Sequence, residues 1–403
     1  MTGNAPRALL LENIHDDAAF TLRDGGFDVE RRTAALDEAE LVAAVPGVEV
    51  LGIRSTTSVT PRVLEAADSL RAIGAFCIGT NQIDLAAATG RGVAVFNAPF
   101  SNTRSVVELA LAEIIALTRR VTDKNADMHA GVWDKSAVGS HEVRGRRLGI
   151  VGYGNIGSQL SVLAEALGMS VLFYDTVDKL ALGNARRVGT LEELLAEADV
   201  VTLHVDGRAG NSGLFGEEQF ARMRRGGIFL NLSRGFVVDH GALRRHVESG
   251  HLAGAAVDVF PQEPKRPGEP FVSELRGLRN VILTPHVGGS TEEAQQDIGN
   301  FVAGKLRDHA RDGATSLSVN LPEVALARKP GAHRLLHLHA NTPGVLATLN
   351  GLLADHALNV EGQLLATRGQ LGYVVTDVAP FAAPDVVDAL AALPETVRLD
   401  VLR

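Results

Sequence analysis

Three glycines, Gly152, Gly154 and Gly157, follow the apolar run LGIV directly and open the helical stretch NIGSQLSVLAEALG. Between a strand and a helix, GxGxxG leaves few folds open. It permits a tight turn, lets backbone approach a pyrophosphate closely, and sets that charge at the positive end of the helix. Asn155 and Ile156, inside the motif, belong to the same contact surface. Asp175 closes the next apolar run, SVLFYD, eighteen residues beyond Gly157. An acid there can accept hydrogen bonds from a ribose 2′-OH and repels a 2′-phosphate, so the expected cofactor is NAD rather than NADP. The plainer reading is a glycine turn that only joins two elements, with Asp175 capping a helix.

The surroundings agree with the dinucleotide reading. RRLGIVG, SVLFYD, DVVTLHV, GIFLNLS, AGAAVDVF and NVILTPH are six strand candidates separated by helical patterns, which describes a parallel sheet. Before them, ALLLE, EVLGI, LRAIGAF and GVAVFNA alternate with amphipathic stretches in the same rhythm, and SVVELALAEIIALTRRV is a long helix between the two regions. With 403 residues, two or three domains are the reasonable expectation. The last seventy or so residues read strand, helix, strand, strand, helix, strand, a ferredoxin-like βαββαβ unit.

Three motifs fall at the ends of later strands, where open α/β sheets place their ligands: NLSRG with Arg234, DVFPQEP with Asp258 and Glu263, and TPHVGGS with His286. An arginine can hold a carboxylate through two hydrogen bonds and polarise the neighbouring carbonyl. A histidine exchanges the hydroxyl proton while hydride moves, and a glutamate beside it stabilises the imidazolium. Taken singly, Arg234 reads as a surface ion pair and His286 as a structural histidine. Their order behind the glycine turn points instead to hydride transfer.

GYGNIG, SRG, DVFPQEP and TPHVGGS resemble the D-isomer-specific 2-hydroxyacid dehydrogenase family. The resemblance implies Arg234, Glu263 and His286 as the catalytic set and Asp258 near the nicotinamide carboxamide. It places His204, Val205, Leu232, Ser233 and Gly288 along the cofactor. Longer runs, IGAFCIGTNQIDL, FNAPFSNTRSVVEL and GVWDKSAVGSHEVRGRRLGIVGYGNIG, are similar to the family's bacterial branch that oxidises D-3-phosphoglycerate to 3-phosphohydroxypyruvate and is inhibited by L-serine. The implied organisation is two Rossmann-like parallel-sheet domains, a substrate-binding one at 1–101 and 287–320 and an NAD-binding one at 102–286, followed by an ACT domain at 330–403. Arg54, Ser55, Asn102 and Lys135 would meet the substrate, Lys135 from a neighbouring subunit. Where that branch carries a second basic residue after its Arg-Ser pair, Thr56 stands here. Other 2-hydroxy acids, and 2-oxoglutarate as a side substrate, therefore stay open, as does a non-catalytic sensor of NAD.

HLHANTPGVLATLNGLLADHALNVEGQ resembles the amino-acid-binding ACT fold. By that resemblance His339, Asn341 and Asn359 bind serine where two modules pair across a homotetramer. The residues alone allow a plainer reading, with Asn341 capping a helix and His339 packed in a sheet. Gly288 with Gly289 is similar to one hinge of the branch, and Gly331 with Ala332 stands at the other.

Composition narrows the rest. A net charge of −9 opposes a nucleic-acid partner, so any anionic substrate must be met by local arginines. With Cys77 the single cysteine, neither an internal disulfide nor a cysteine metal cluster can form, and no metal is expected. No run reaches the roughly eighteen apolar residues of a membrane span, and the opening MTGNAPRALLLEN lacks a secretory leader, so the expectation is cytoplasmic.

Overall fold

The computed structural model describes residues 5–264, 268–379 and 384–402. The chain divides into two compact units, Met1–Ser101 with Gln295–Arg403, and Asn102–Ala294.

The first unit begins with five parallel strands, β1 (Arg7–Leu10), β2 (Asp28–Arg31), β3 (Val48–Ile53), β4 (Ala72–Ala75) and β5 (Ala94–Asn97), in the order β2-β1-β3-β4-β5. β3 and β4 are buried almost throughout because helices cover both faces, which is why they read as continuous apolar runs. β2 escaped the sequence reading. It is an edge strand, DVER, in which only Val29 is buried, and one apolar residue in four carries no period.

The second unit is a seven-stranded parallel sheet: β6 (Arg147–Val151), β7 (Ser170–Tyr174), β8 (Arg186–Arg187), β9 (Val200–Leu203), β10 (Gly227–Asn231), β11 (Leu252–Val257) and β12 (Val281–Leu283). The six expected strands are all present, and the two-residue β8 is added at one edge. Their order, β12-β11-β10-β9-β6-β7-β8, reverses between β6 and β9, and that reversal opens a crevice at the carboxyl ends of the strands. The helix Thr103–Thr118 covers one face, burying Val107, Ala110, Ile114 and Leu117 against Leu148, Ile150 and Leu230.

The helix Glu292–Asp312 carries the chain back to the first unit. There Ile298, Val302, Ala303 and Leu306 share a core with Leu10, Val50, Ala72 and Phe96. The terminal module follows as β13 (His333–Ala340), the helix Val345–Asp355, β14 (Asn359–Arg368), β15 (Leu371–Ala379), the helix Pro384–Ala391 and β16 (Thr396–Leu402). Its antiparallel sheet has the order β14-β15-β13-β16 of a βαββαβ unit. The first of these helices starts two residues beyond Pro343, because Gly344 turns the chain with φ 96° before it.

Alternation along β13 and β15 sends side chains to both faces of this sheet. Leu335, Val374 and Val378 pack under the module's own helices with Leu349 and Leu353. Leu336, Leu338, Tyr373 and Val375 enter the core built around Ile298 and Val302. An apolar second face must be covered, and residues of β1, β3 and the helix Glu292–Asp312 in the same unit cover it. Arg334 and Asp377, fully buried, pair through two hydrogen bonds of 2.6 and 2.7 Å. Arg334 also donates to the carbonyls of Asp312 and Leu326, so the pair is satisfied where the incoming chain meets the sheet. Among the described residues no helix is long and apolar enough to cross a membrane, and no cluster of side chains could hold a metal ion.

Candidate active site

Every motif named for the second unit lies at the carboxyl end of its sheet. Gly152 turns the chain after β6 with φ 92°, and a Cβ there would lie 2.6 Å from the His204 carbonyl oxygen. At Gly157 a Cβ would lie 2.4 Å from the Gly152 oxygen. Both positions exclude any side chain. At Gly154 a Cβ would meet nothing within 4 Å, so that backbone faces open space. The helix Asn155–Ala166 starts from Gly154 without a side-chain cap and leaves its first N–H groups to an external anion. The Asp175 carboxylate accepts from the N–H groups of Tyr153 (2.8 Å) and Val177 (2.9 Å), tying the glycine turn to the end of β7. An open turn, an uncapped helix start and an acid at the end of the second strand fit a dinucleotide with a free 2′-OH. His204, beside Val205 on the facing strand end, is pushed down to about 4 by burial and is neutral at pH 7.

On the other side of the crevice His286 and Glu263 form the centre. His286 Nδ1 lies 2.9 Å from Glu263 Oε2, and Glu263 Oε1 accepts the Phe260 N–H at 3.0 Å. The bond to Glu263 raises the imidazole above its ordinary value; burial opposes the rise, and the Arg234 charge opposes it more weakly. Burial resists ionisation of Glu263, but the bonds from His286 and Phe260 outweigh it and hold the carboxyl below its ordinary range. With Nδ1 engaged, Nε2 is the nitrogen left to exchange a proton.

Arg234 is set by a side-chain turn. Asn231, the last residue of β10, accepts from the N–H and hydroxyl of Ser233 and donates to the Arg234 carbonyl. Leu232 and Ser233 are buried beneath it.

His286 itself sits at φ 55°, in the left-handed region that a side chain disfavours. Asp258 holds it there. Its carbonyl accepts the His286 N–H at 2.8 Å, while its carboxylate collects the Thr284 hydroxyl (2.6 Å) and the N–H groups of Val287 (2.9 Å) and Gly288 (2.8 Å). Such a conformation persists because the surrounding bonds over-determine it. The resemblance placed Asp258 beside the cofactor; its visible work is to knot the turn that presents His286.

Asn102 heads the helix Thr103–Thr118, and its buried Oδ1 finds no donor among the described residues. Lys135 lies in an exposed stretch. In the first unit Arg54 and Ser55 follow β3, and no hydrogen bond or ion pair among the described residues engages the Arg54 guanidinium. Glu113 escaped the sequence reading, as a charged letter in an apolar helix pattern. It is buried, neither carboxyl oxygen finds a partner among the described residues, and burial, with the Asp258 charge adding, raises it to about 8.

The three residues expected to bind serine do not converge within one chain. His339 pairs with Gly372, and Asn341 lies just past that end of the sheet, donating to the Gly369 carbonyl. Asn359 pairs with Ala379, seven residues farther along β15, about 23 Å away at roughly 3.3 Å per residue. His339 Nε2 is buried and has no hydrogen-bond partner among the described residues, and the Gly372 backbone leaves room for the ring.

Residues 111–288 match the family described as D-isomer specific 2-hydroxyacid dehydrogenase, NAD binding domain, and residues 335–398 match the AHAS small subunit-like ACT domain. The chain belongs to the D-isomer specific 2-hydroxyacid dehydrogenase family. It is 50% identical over 395 residues to the D-3-phosphoglycerate dehydrogenase of Haemophilus influenzae, covering 98% of this chain and 96% of that one. To the enzyme of the same name from Escherichia coli K12 it is 48% identical over 397 residues, 98% of this chain and 97% of the other. Among solved structures it is similar to the TT0316 protein of Thermus thermophilus, with TM-score 0.67 and 33% identity over 74% of this chain and 95% of that one. The D-lactate dehydrogenase of Aquifex aeolicus complexed with NAD and lactic acid gives TM-score 0.66 and 25% identity over 75% of this chain and 95% of that one.

Proposed function

We propose that this chain oxidises D-3-phosphoglycerate to 3-phosphohydroxypyruvate with NAD, the first step of L-serine synthesis, as a cytoplasmic homotetramer inhibited by L-serine. The His286–Glu263 pair, with the Arg234 charge acting on both groups, carries the reading. The near full-length identity to relatives bearing that enzyme's name supports the choice of substrate.

A bound nicotinamide supplies the hydride acceptor. Arg234 holds the substrate carboxylate and polarises the carbon that becomes a carbonyl. His286 Nε2 takes the hydroxyl proton, and Glu263 stabilises the imidazolium formed. Asp258 keeps the turn of residues 284–288 in the one conformation that aims the ring. Arg54 and Ser55, with Asn102 and with Lys135 of a neighbouring subunit, meet the substrate's remaining anionic and polar groups. Thr56 offers no charge there, so 2-oxoglutarate, with a carboxylate in place of the phosphate, enters as a slower side substrate.

In the terminal module His339 and Asn341 of one copy would complete a serine site with Asn359 of another, which accounts for their separation in a single chain. Serine inhibits by binding the less active arrangement better.

Rates of NADH oxidation with 3-phosphohydroxypyruvate, 2-oxoglutarate, pyruvate and glyoxylate test the substrate. A clear preference for 3-phosphohydroxypyruvate is expected, and equal kcat/KM for any of the others would remove this reading.

A further inference from the structure

Glu12, one residue past the buried Leu11 that extends β1, is an acid at the carboxyl end of a parallel sheet and forms no ion pair among the described residues. Its carboxylate gathers backbone N–H groups instead. Oε1 accepts from Arg54 at 3.0 Å and from Thr57 at 2.9 Å, and Oε2 accepts from Thr56 at 3.0 Å. The residue that reaches them is strained: Glu12 and Asn13 stand consecutively in the left-handed region, at φ 59° and 52°. Their own N–H groups are held by the carbonyls of Ala34 and Arg32. From the other side the Gln82 side-chain amide donates to the Arg54 carbonyl at 2.6 Å. Arg54 is thus gripped at both of its peptide groups while its guanidinium stays free of partners among the described residues.

Converging N–H groups at a turn make a concavity that binds anions. In a loop that meets an anionic substrate, such a concavity could take the substrate's own carboxylate or phosphate. Here the chain fills it with Glu12. Of the four N–H groups from Arg54 to Thr57, only that of Ser55 is left unspent among the described residues. The charge for the substrate must then come from the Arg54 side chain, with Ser55 beside it, and both must be aimed by a loop that cannot shift.

We propose that Glu12 is a positioning residue for the substrate: by occupying the amide concavity of residues 54–57 it fixes the direction in which Arg54 and Ser55 present themselves to the substrate's anionic end. This rests on the assignment of Arg54 and Ser55 to substrate binding made above. The Glu12 carboxylate is taken up by the loop's own N–H groups, so its loss is expected to act on substrate affinity and to leave the second unit's chemistry alone.

Glu12→Gln, Glu12→Ala and Arg54→Ala are compared with the parent for KM toward 3-phosphohydroxypyruvate, for kcat at saturation and for the dissociation constant of NADH. Removing a charged acceptor from several N–H groups should raise KM about tenfold or more in Glu12→Ala. A smaller rise is expected in Glu12→Gln, whose side chain keeps one acceptor oxygen, with kcat and NADH affinity near the parent's in both. If Glu12→Ala does not fold, Glu12→Gln decides the matter alone. An unchanged KM in the Glu12 variants beside a raised KM in Arg54→Ala overturns the proposal, as does a loss of NADH affinity as large as the loss of substrate affinity. An unchanged KM in Arg54→Ala overturns instead the assignment of that loop to substrate.

Discussion

The crevice of the second unit and the sheet of the terminal module both gather polar residues around a prospective ligand, and they do so in opposite ways. In the crevice, Glu263, His286, Asp258 and Thr284 come from the ends of two neighbouring strands, β11 and β12, and meet within one chain at 2.6 to 3.0 Å. In the module, His339 and Asn341 lie at one end of the sheet and Asn359 at the other. Chemistry needs its groups preorganised, since a misplaced base loses rate whatever else is bound. Regulation needs two arrangements to choose between, and a site divided between copies is made or broken by their relative motion.

The sharpest break of this comparison is His286→Ala. Turnover should fall by roughly a thousandfold, the scale of a lost general acid–base, while an NADH fluorescence titration gives the parent's affinity. Retained turnover would move the catalytic centre elsewhere, whereas a parent that binds NADH without any turnover would be a sensor of NAD.

A second test divides the module's site deliberately. Asn341→Ala and Asn359→Ala should each weaken serine inhibition about tenfold or more, each having lost hydrogen bonds to a charged ligand, with little change in uninhibited rate. Mixed and reassembled, the two variants should regain part of the inhibition, because some hybrid interfaces carry both native residues. Inhibition that stays lost in the mixture would place the three residues outside a shared site.

Glu263→Gln sharpens the picture of the crevice. In the reducing direction His286 must start protonated, so the rate falls as pH rises through its pKa. Glu263 raises that pKa, and its loss should move the fall to lower pH, toward the ordinary 6.5, with turnover reduced about tenfold to a hundredfold. A pH profile of kcat/KM reads both effects.

The smallest effect concerns Glu113, which burial holds protonated in the folded chain. Its folded pKa of about 8 lies above the ordinary 4.5, so the folded state binds this proton more tightly than the unfolded one. The linked stability is full below pH 4.5 and is lost progressively up to pH 8. Glu113→Gln should therefore match the parent's melting temperature near pH 5 and exceed it by several degrees near pH 8.5, checked by thermal melts at both values. Equal melting temperatures at the two values would leave Glu113 paired in solution.

Much of this arrangement could be read from the letters because its determinants are local. A glycine turn, an apolar strand and an acid at the next strand end are tied together by neighbour relations along a βαβ unit, and six of the seven strands of the second sheet announce themselves as apolar runs. The residues that were missed are those whose meaning lies in what they touch. Val29 alone could not signal β2, Glu113 looked like one charge in a helix, and Glu12 like the polar end of a strand.

The sequence by itself determined the fold class, the cofactor turn and the chemical identity of Arg234, Glu263 and His286, since backbone sterics and side-chain chemistry act wherever such residues stand. Only the tertiary structure decided that Glu12 closes around the loop of Arg54 and that Asp258 knots the turn of His286. It alone decided that Asn359 stands a sheet's length from Asn341. Those relations are distances, and a distance between residues remote in sequence exists only once the strands between them have chosen their neighbours.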